Sequence, residues 1–257
     1  MAGLADDWTE RRQTCIDVLC AYLRMLYPLG PEENTSVGSS MDHAGGQANR
    51  EVRLTVIRTI RDHLRPDNPP ETSWCGYDLD FTGAVFDGGD FSFARFSGGK
   101  VSFKGAEFSG GKVTFRGATF SGGKVTFHGA TFSGGKVTFH GATFSGSEVS
   151  FNGIFSGGKV SFYEATFSGG ELRFIGAAFS GGEVSFRGTT FSGSEVNFNG
   201  AVFSGGTVPF HGAQFGGGLV DMRAPAAWSK PPSFDDSLLT TPPAVLLLPD
   251  PPSKRKS

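Results

Sequence analysis

The 257-residue sequence predicts an all-β solenoid of about 24 residues per coil, preceded by a small α-helical region. Three observations carry that prediction. Phenylalanine returns along the chain from Phe96 to Phe215 in units written FSGGKVTFHGAT. Nine of the ten intervals are twelve residues, and the one from Phe144 to Phe155 is eleven. Twenty-five of the 26 phenylalanines lie between Phe81 and Phe215, so the aromatic content belongs to the repeat. A fixed period of this kind marks units that bury their apolar side only by stacking on neighbours.

Three regions follow along the chain. Residues 1–73 read as helical, with a first helix over Trp8–Leu26. Ile16, Leu19, Leu23 and Leu26 recur at spacings of three and four, which makes one apolar stripe. Asp6, Asp7 or Thr9 supplies the cap, and Pro28 ends the helix. Residues 29–47 are rich in Gly, Ser and Glu and read as a flexible linker. A second helix is expected from about Ala48 to Leu64, with Val52, Val56, Ile57, Ile60 and Leu64 on its apolar face and Pro66 as its stop. Arg50, Arg53, Arg58, Arg61 and Arg65 cover the rest, as a solvated face or, less favoured, a docking face. Two helices bury little alone, so they are expected to pack on each other and on the solenoid's open end. Residues 74–223 form the solenoid. Residues 224–257 hold eight prolines and read as a mostly disordered tail, with Trp228 or Phe234 available as a lid.

Within the solenoid, Phe81, Phe86, Phe91 and Phe96 are five residues apart, and Ala84, Gly89 and Ala94 stand two before three of them. A large apolar residue every five, with a small one two before it, resembles the pentapeptide-repeat family. That resemblance implies a right-handed quadrilateral β-helix, one five-residue segment per side, with the large and small residues inward. It also implies a fold more than an activity.

From Phe96 the strict fives give way to unequal sides. Phe120 to Val125 is five residues, Val125 to Phe127 is two, and Phe127 to Phe132 is five. Each unit therefore divides into a five-residue and a seven-residue side, and two units close a rectangular coil. One unit per coil would place three large inward side chains in a flat ribbon, where close packing leaves too little room. Five coils from Phe96 add to the first square coil. The expected core comprises Phe81, Phe86, Phe91, Phe96, Phe108 and Phe120 at the start. Val125, Phe127, Phe132, Val137, Phe139 and Phe144 continue it, and Phe155, Phe167, Phe179, Phe191, Phe203 and Phe215 complete it. Phe93 breaks the small-residue rule and is expected at a coil entrance. Gly153-Ile154-Phe155 lacks an alanine, so a tighter corner is expected there.

No catalytic, cofactor-binding or metal-binding constellation is legible. The run Gly117–Val125 resembles a phosphate loop but has five residues between Gly117 and Gly123, and Val125 where Ser or Thr would stand. His128, His140 and His211 share one repeat position with Lys, Arg, Asn, Tyr and Ile, the mark of a permissive exposed site. Cys15, Cys20 and Cys75 are an odd set without a paired framework, which suits a reducing cytosol. Net charge is −2, and no stretch is long and apolar enough to span a bilayer. One outward position reads Lys100, Lys112, Lys124, Lys136, Glu148, Lys159, Glu171, Glu183, Glu195, Thr207. The early coils are thus basic and the late ones acidic, either for solubility or for partner docking, including an end-to-end homodimer.

The family resemblance brings a possible role as a DNA mimic that binds topoisomerases. Mimicry needs a strongly negative rod, whereas residues 80–222 hold ten acidic and ten basic side chains. The N-terminal segments ADDWTERRQTCIDVLCAYLRMLYP and REVRLTVIRTIRDHLRPD resemble the helical region of actinobacterial members, which often carry transmembrane helices upstream. The chain then reads as a short cytoplasmic form, or as the cytoplasmic part of a membrane-anchored protein. The favoured expectation is a non-enzymatic protein-binding scaffold with an unknown protein partner and no nucleic acid. A pocket near Trp74, Cys75 and Tyr77 would revive an enzymatic reading.

Overall fold

The computed structural model describes Gly3, residues 9–25 and residues 40–249. Its body is a parallel β-solenoid whose short strands stack into four columns, one per face of the coil. The first face begins at Leu79–Asp80 and continues through Lys100–Ser102, Lys124–Thr126, Ser147–Ser150 and Gly170–Arg173. It continues in the later parts of the long strands Thr190–Asn197 and Gln214–Asp221 and is closed by Leu246–Leu247, so about seven coils start on this face. The seventh exceeds the six coils expected, because the chain after Phe215 continues the winding.

Register fixes the coil length. Val101 stands beside Val125 and Val113 beside Val137, 24 residues on. Across the short unit Phe132 stands beside Phe155, a step of 23. The missing residue comes out of a corner. Elsewhere the alanine N–H closes a four-residue turn, as Ala130 does to the Phe127 carbonyl at 3.0 Å. At the short unit Gly153 N–H bonds the Phe151 carbonyl at 2.7 Å, a three-residue turn, which is the tighter corner expected.

Twenty-five of the 26 phenylalanines fall into four stacks, one behind each face. In mid-rod, Phe103–Phe127, Phe108–Phe132, Phe115–Phe139 and Phe120–Phe144 stack with centroids 4.6 to 4.8 Å apart and planes within 6°. Rung spacing in a β-sheet is about 4.8 Å, so the backbone ladder sets the ring spacing. Each buried ring contributes roughly 1.5–3 kcal/mol of hydrophobic stabilisation. Every residue of the expected core is buried except Phe215, which is half-buried because it ends the fourth stack. The remaining phenylalanine, Phe93, is 50% exposed on the outer wall.

Corners follow one rule. Gly83, Gly105, Gly117, Gly129 and Gly141 take φ between 61° and 70°, a region open to glycine. Phe93 and Glu164 occupy the same corner position with φ of 62° and 54°, the two non-glycine residues with positive φ among those described. Phe93 is thus out of the core because the corner turns its side chain outward, where its ring covers Gly117.

At the N-terminal end, a 3-10 turn over Thr9–Arg11 leads into α1 (Arg12–Arg24), which is shorter than the span expected. Leu26, Asp6, Asp7 and Pro28 lie outside the described residues. Helix α2 spans Ser40–His63, so residues 40–47 of the expected linker are helical, and residues 29–39 lie outside the description. Ile16, Cys20 and Leu23 of α1 share one core with Ile57, Ile60, Leu64 and the first-coil phenylalanines. Val52 does not join the apolar face: it is 48% exposed, and Arg53 is buried in its stead. The Arg53 guanidinium donates to the carbonyls of Leu23 and Val85, at 2.8 Å each. It thereby satisfies an orphan carbonyl at the end of α1 and ties that helix to the first coil.

The other end carries a cap rather than the mostly disordered tail expected. Ala227–Trp228 pairs with Val202–Phe203 and sets the Trp228 ring edge-on to Phe203. Phe234 stacks on Phe210 at 5.0 Å, and Leu246–Leu247 pairs with Val220–Asp221. A short helix, α3 (Asp236–Thr240), links the last two pieces. Residues 250–257 lie outside the description.

Candidate functional site

Two kinds of surface carry chemistry: the outward columns of the wall and the grooves where the helices meet the first coil. The coil length decides the columns. With 24 residues per coil, alternate units fall on opposite faces, so the single outward series of the sequence becomes two. On the first face Lys100, Lys124, Glu148, Glu171 and Glu195 are successive neighbours. On the third face Lys112, Lys136, Lys159 and Glu183 are. Basic and acidic halves meet at ion pairs, Lys124–Glu148 at 3.0 Å and Lys159–Glu183 at 3.1 Å. The bond from Lys124 and the charge of Arg173 hold Glu148 below the ordinary carboxylate range.

The histidines do not converge. His128 and His140 belong to adjacent units and therefore sit at different corners. His140 faces Glu164 at 3.3 Å, and His211 faces Asp235 at 3.2 Å. No group of three His, Cys, Asp or Glu able to hold a metal occurs among the described residues.

The four-column wall with inward large and small residues is the decisive observation, and comparison agrees with it. A family model for pentapeptide repeats in nine copies matches residues 81–131 and 181–224. Those two stretches are pentapeptide repeats. No curated protein and no solved structure matches it. No helix among the described residues is long and apolar enough to cross a membrane.

The helices meet the first coil around three grooves. The first lies between α2 and the third face, and is lined by Arg50, Arg58, Arg61, Asp90 and Lys112. Two of its arginines bind the solenoid: Arg50 Nε lies 3.0 Å from Asp87, and Arg61 Nη1 lies 2.8 Å from Asp90. Burial opposes the charge on Asp90, but bonds from Ser92 and Arg61 outweigh it and lower its pKa. The α2 arginine set is therefore mixed. Arg50, Arg53 and Arg61 fasten the helix, while Arg58 is exposed beside Lys112. A sequence shows only their helical spacing; which ones reach inward depends on how α2 sits on the coil.

The second groove, by α1, is lined by Gln13, Asp17, Asp80, Lys100 and Lys104. The third holds about 360 Å³ beside Cys75 and Tyr77, the place where the sequence put a conditional enzymatic site. Its lining includes Arg12, Arg65, Arg95, Asn68, Ser73 and Ser97. Trp74 is not in it: that ring is buried and stacks on His63 at 4.2 Å. Cys75 Sγ lies 3.4 Å from the Arg95 carbonyl, with no general base among the described residues of the lining to activate it.

Proposed function

We propose that this pentapeptide-repeat protein is a non-enzymatic scaffold that binds a protein partner along its third face. The observation that carries the reading is the column Lys112, Lys136, Lys159, three exposed lysines in consecutive rungs of a rigid sheet. Like charges at about 4.8 Å oppose one another, and an acidic partner surface relieves them. Arg58 and Arg116 extend the positive field at the same end. A DNA-mimicking rod would need acidic walls instead.

The test is capture from a native lysate with the purified protein and with a Lys112→Glu, Lys136→Glu double variant. Heat-denatured wild-type protein serves as the misfolded control. The reading expects a stoichiometric protein held by the wild type and released by the charge variant, whose fold is intact. Identical capture by both proteins, or none by either, would overturn it.

A further inference from the structure

The third groove has a chemistry of its own. Three guanidinium groups from separate elements line it: Arg12 from α1, Arg65 from the turn after α2, and Arg95 from the first strand of the fourth face. No carboxylate side chain is among the described residues that line it. We propose that this groove binds a small phosphorylated molecule through its phosphoryl group.

The geometry supports that ligand class. Arg12 is 3% exposed, and its guanidinium donates to the carbonyls of Glu71 and Ser73, which fixes its orientation. It also lies over the Tyr77 ring, 5.8 Å from the centroid. Arg65 reaches Asp67 at 3.5 Å, a partly exposed pair of the kind worth little in water. Arg95 is exposed at the groove, while its main-chain N–H is anchored to the Leu64 carbonyl at 2.7 Å. Guanidinium groups converging on one cavity favour a bound anion. A phosphoryl group carries nearly two charges and several acceptor oxygens, which suits donors arriving from three directions better than a planar carboxylate does. Ser73, Ser97 and Tyr77 add neutral hydroxyl donors. The cavity, about 360 Å³, is at the small end of ligand sites and excludes a macromolecule from its interior.

The test is calorimetric titration of the intact protein with inorganic phosphate and with pyrophosphate at fixed ionic strength. Acetate is the carboxylate control. Arg95→Gln is the site variant, since it removes an exposed charge and leaves the main-chain bond to Leu64. Arg58→Gln, in the first groove, is the charge-matched control. The expected result is saturable one-to-one binding of pyrophosphate, weakened about tenfold or more in Arg95→Gln and unchanged in Arg58→Gln. Thermal unfolding checks this independently: pyrophosphate should raise the midpoint of the wild type but not of Arg95→Gln. The proposal is overturned by absence of saturable binding, by acetate binding equally well, or by equal affinity in Arg95→Gln. Equal weakening in both variants overturns it too, since that marks bulk charge. None of these outcomes bears on the lysine column.

Discussion

The ring of Phe139 lies on that of Phe115 at 4.8 Å and 6°, although one whole coil of chain separates them. Phe139 also stacks on Phe162 in the next coil at 4.9 Å, so it is sandwiched on both faces. Replacing it by alanine should cost about 3–5 kcal/mol, the range for a buried aromatic whose cavity cannot collapse. Equilibrium unfolding in guanidinium measures this. Phe93→Ala, on the outer wall, should cost well under half as much.

Glu164, like Phe93, occupies a corner where the other units carry glycine, at φ 54°. Its exposed pair with His140 returns little. Glu164→Gly should therefore stabilise the protein by up to about 1 kcal/mol by relieving left-handed strain. A fall in thermal midpoint would show that the side chain matters more than the backbone.

Arg53→Met should release α1 while leaving the solenoid folded. It removes the donors to Leu23 and Val85 but keeps the aliphatic volume. Hydrogen exchange should accelerate by about tenfold or more in α1, and little in the mid-rod strands, since losing a buried charge-assisted bond costs about 1.5–3 kcal/mol.

Asp221 accepts two bonds from the Arg223 guanidinium, which hold its pKa down at about 2. A depressed carboxyl pKa gives stability that is present above about pH 4 and is lost as pH falls through about 2. Arg223 is largely exposed, so solvent screening keeps the contribution well below the full linkage value. Asp221→Asn should be less stable than wild type at pH 7, and the two should converge near pH 2 in acid unfolding followed by circular dichroism.

The wall was legible because its physics is local and repeated. Phe120, Val125, Phe127 and Phe132 alternate in a way that allows one inward set, and three large side chains per unit need two units per coil. The ends were less legible because they depend on single contacts. Phe234 completes a stack begun at Phe91, but nothing near it in sequence repeats. The exchange of Val52 for Arg53 on the buried face of α2 comes from the Leu23 and Val85 carbonyls, which are distant in the chain. Helical content over residues 40–47 opposes the Gly-rich composition. The three-arginine groove joins residues 12, 65 and 95, whose spacing carries no motif.

Lys112 and Lys136 decide the matter most directly, because they are neighbours only if two units make one coil. Paired cysteines at these positions would sit within disulfide reach, about 4.8 Å between Cα atoms. Lys112 and Lys124 belong to opposite faces and would not. A coil of two units predicts that mild oxidation closes a disulfide in Lys112→Cys, Lys136→Cys and not in Lys112→Cys, Lys124→Cys, as read by peptide mass spectrometry. The reverse pattern would contradict the fold, and with it the lysine column.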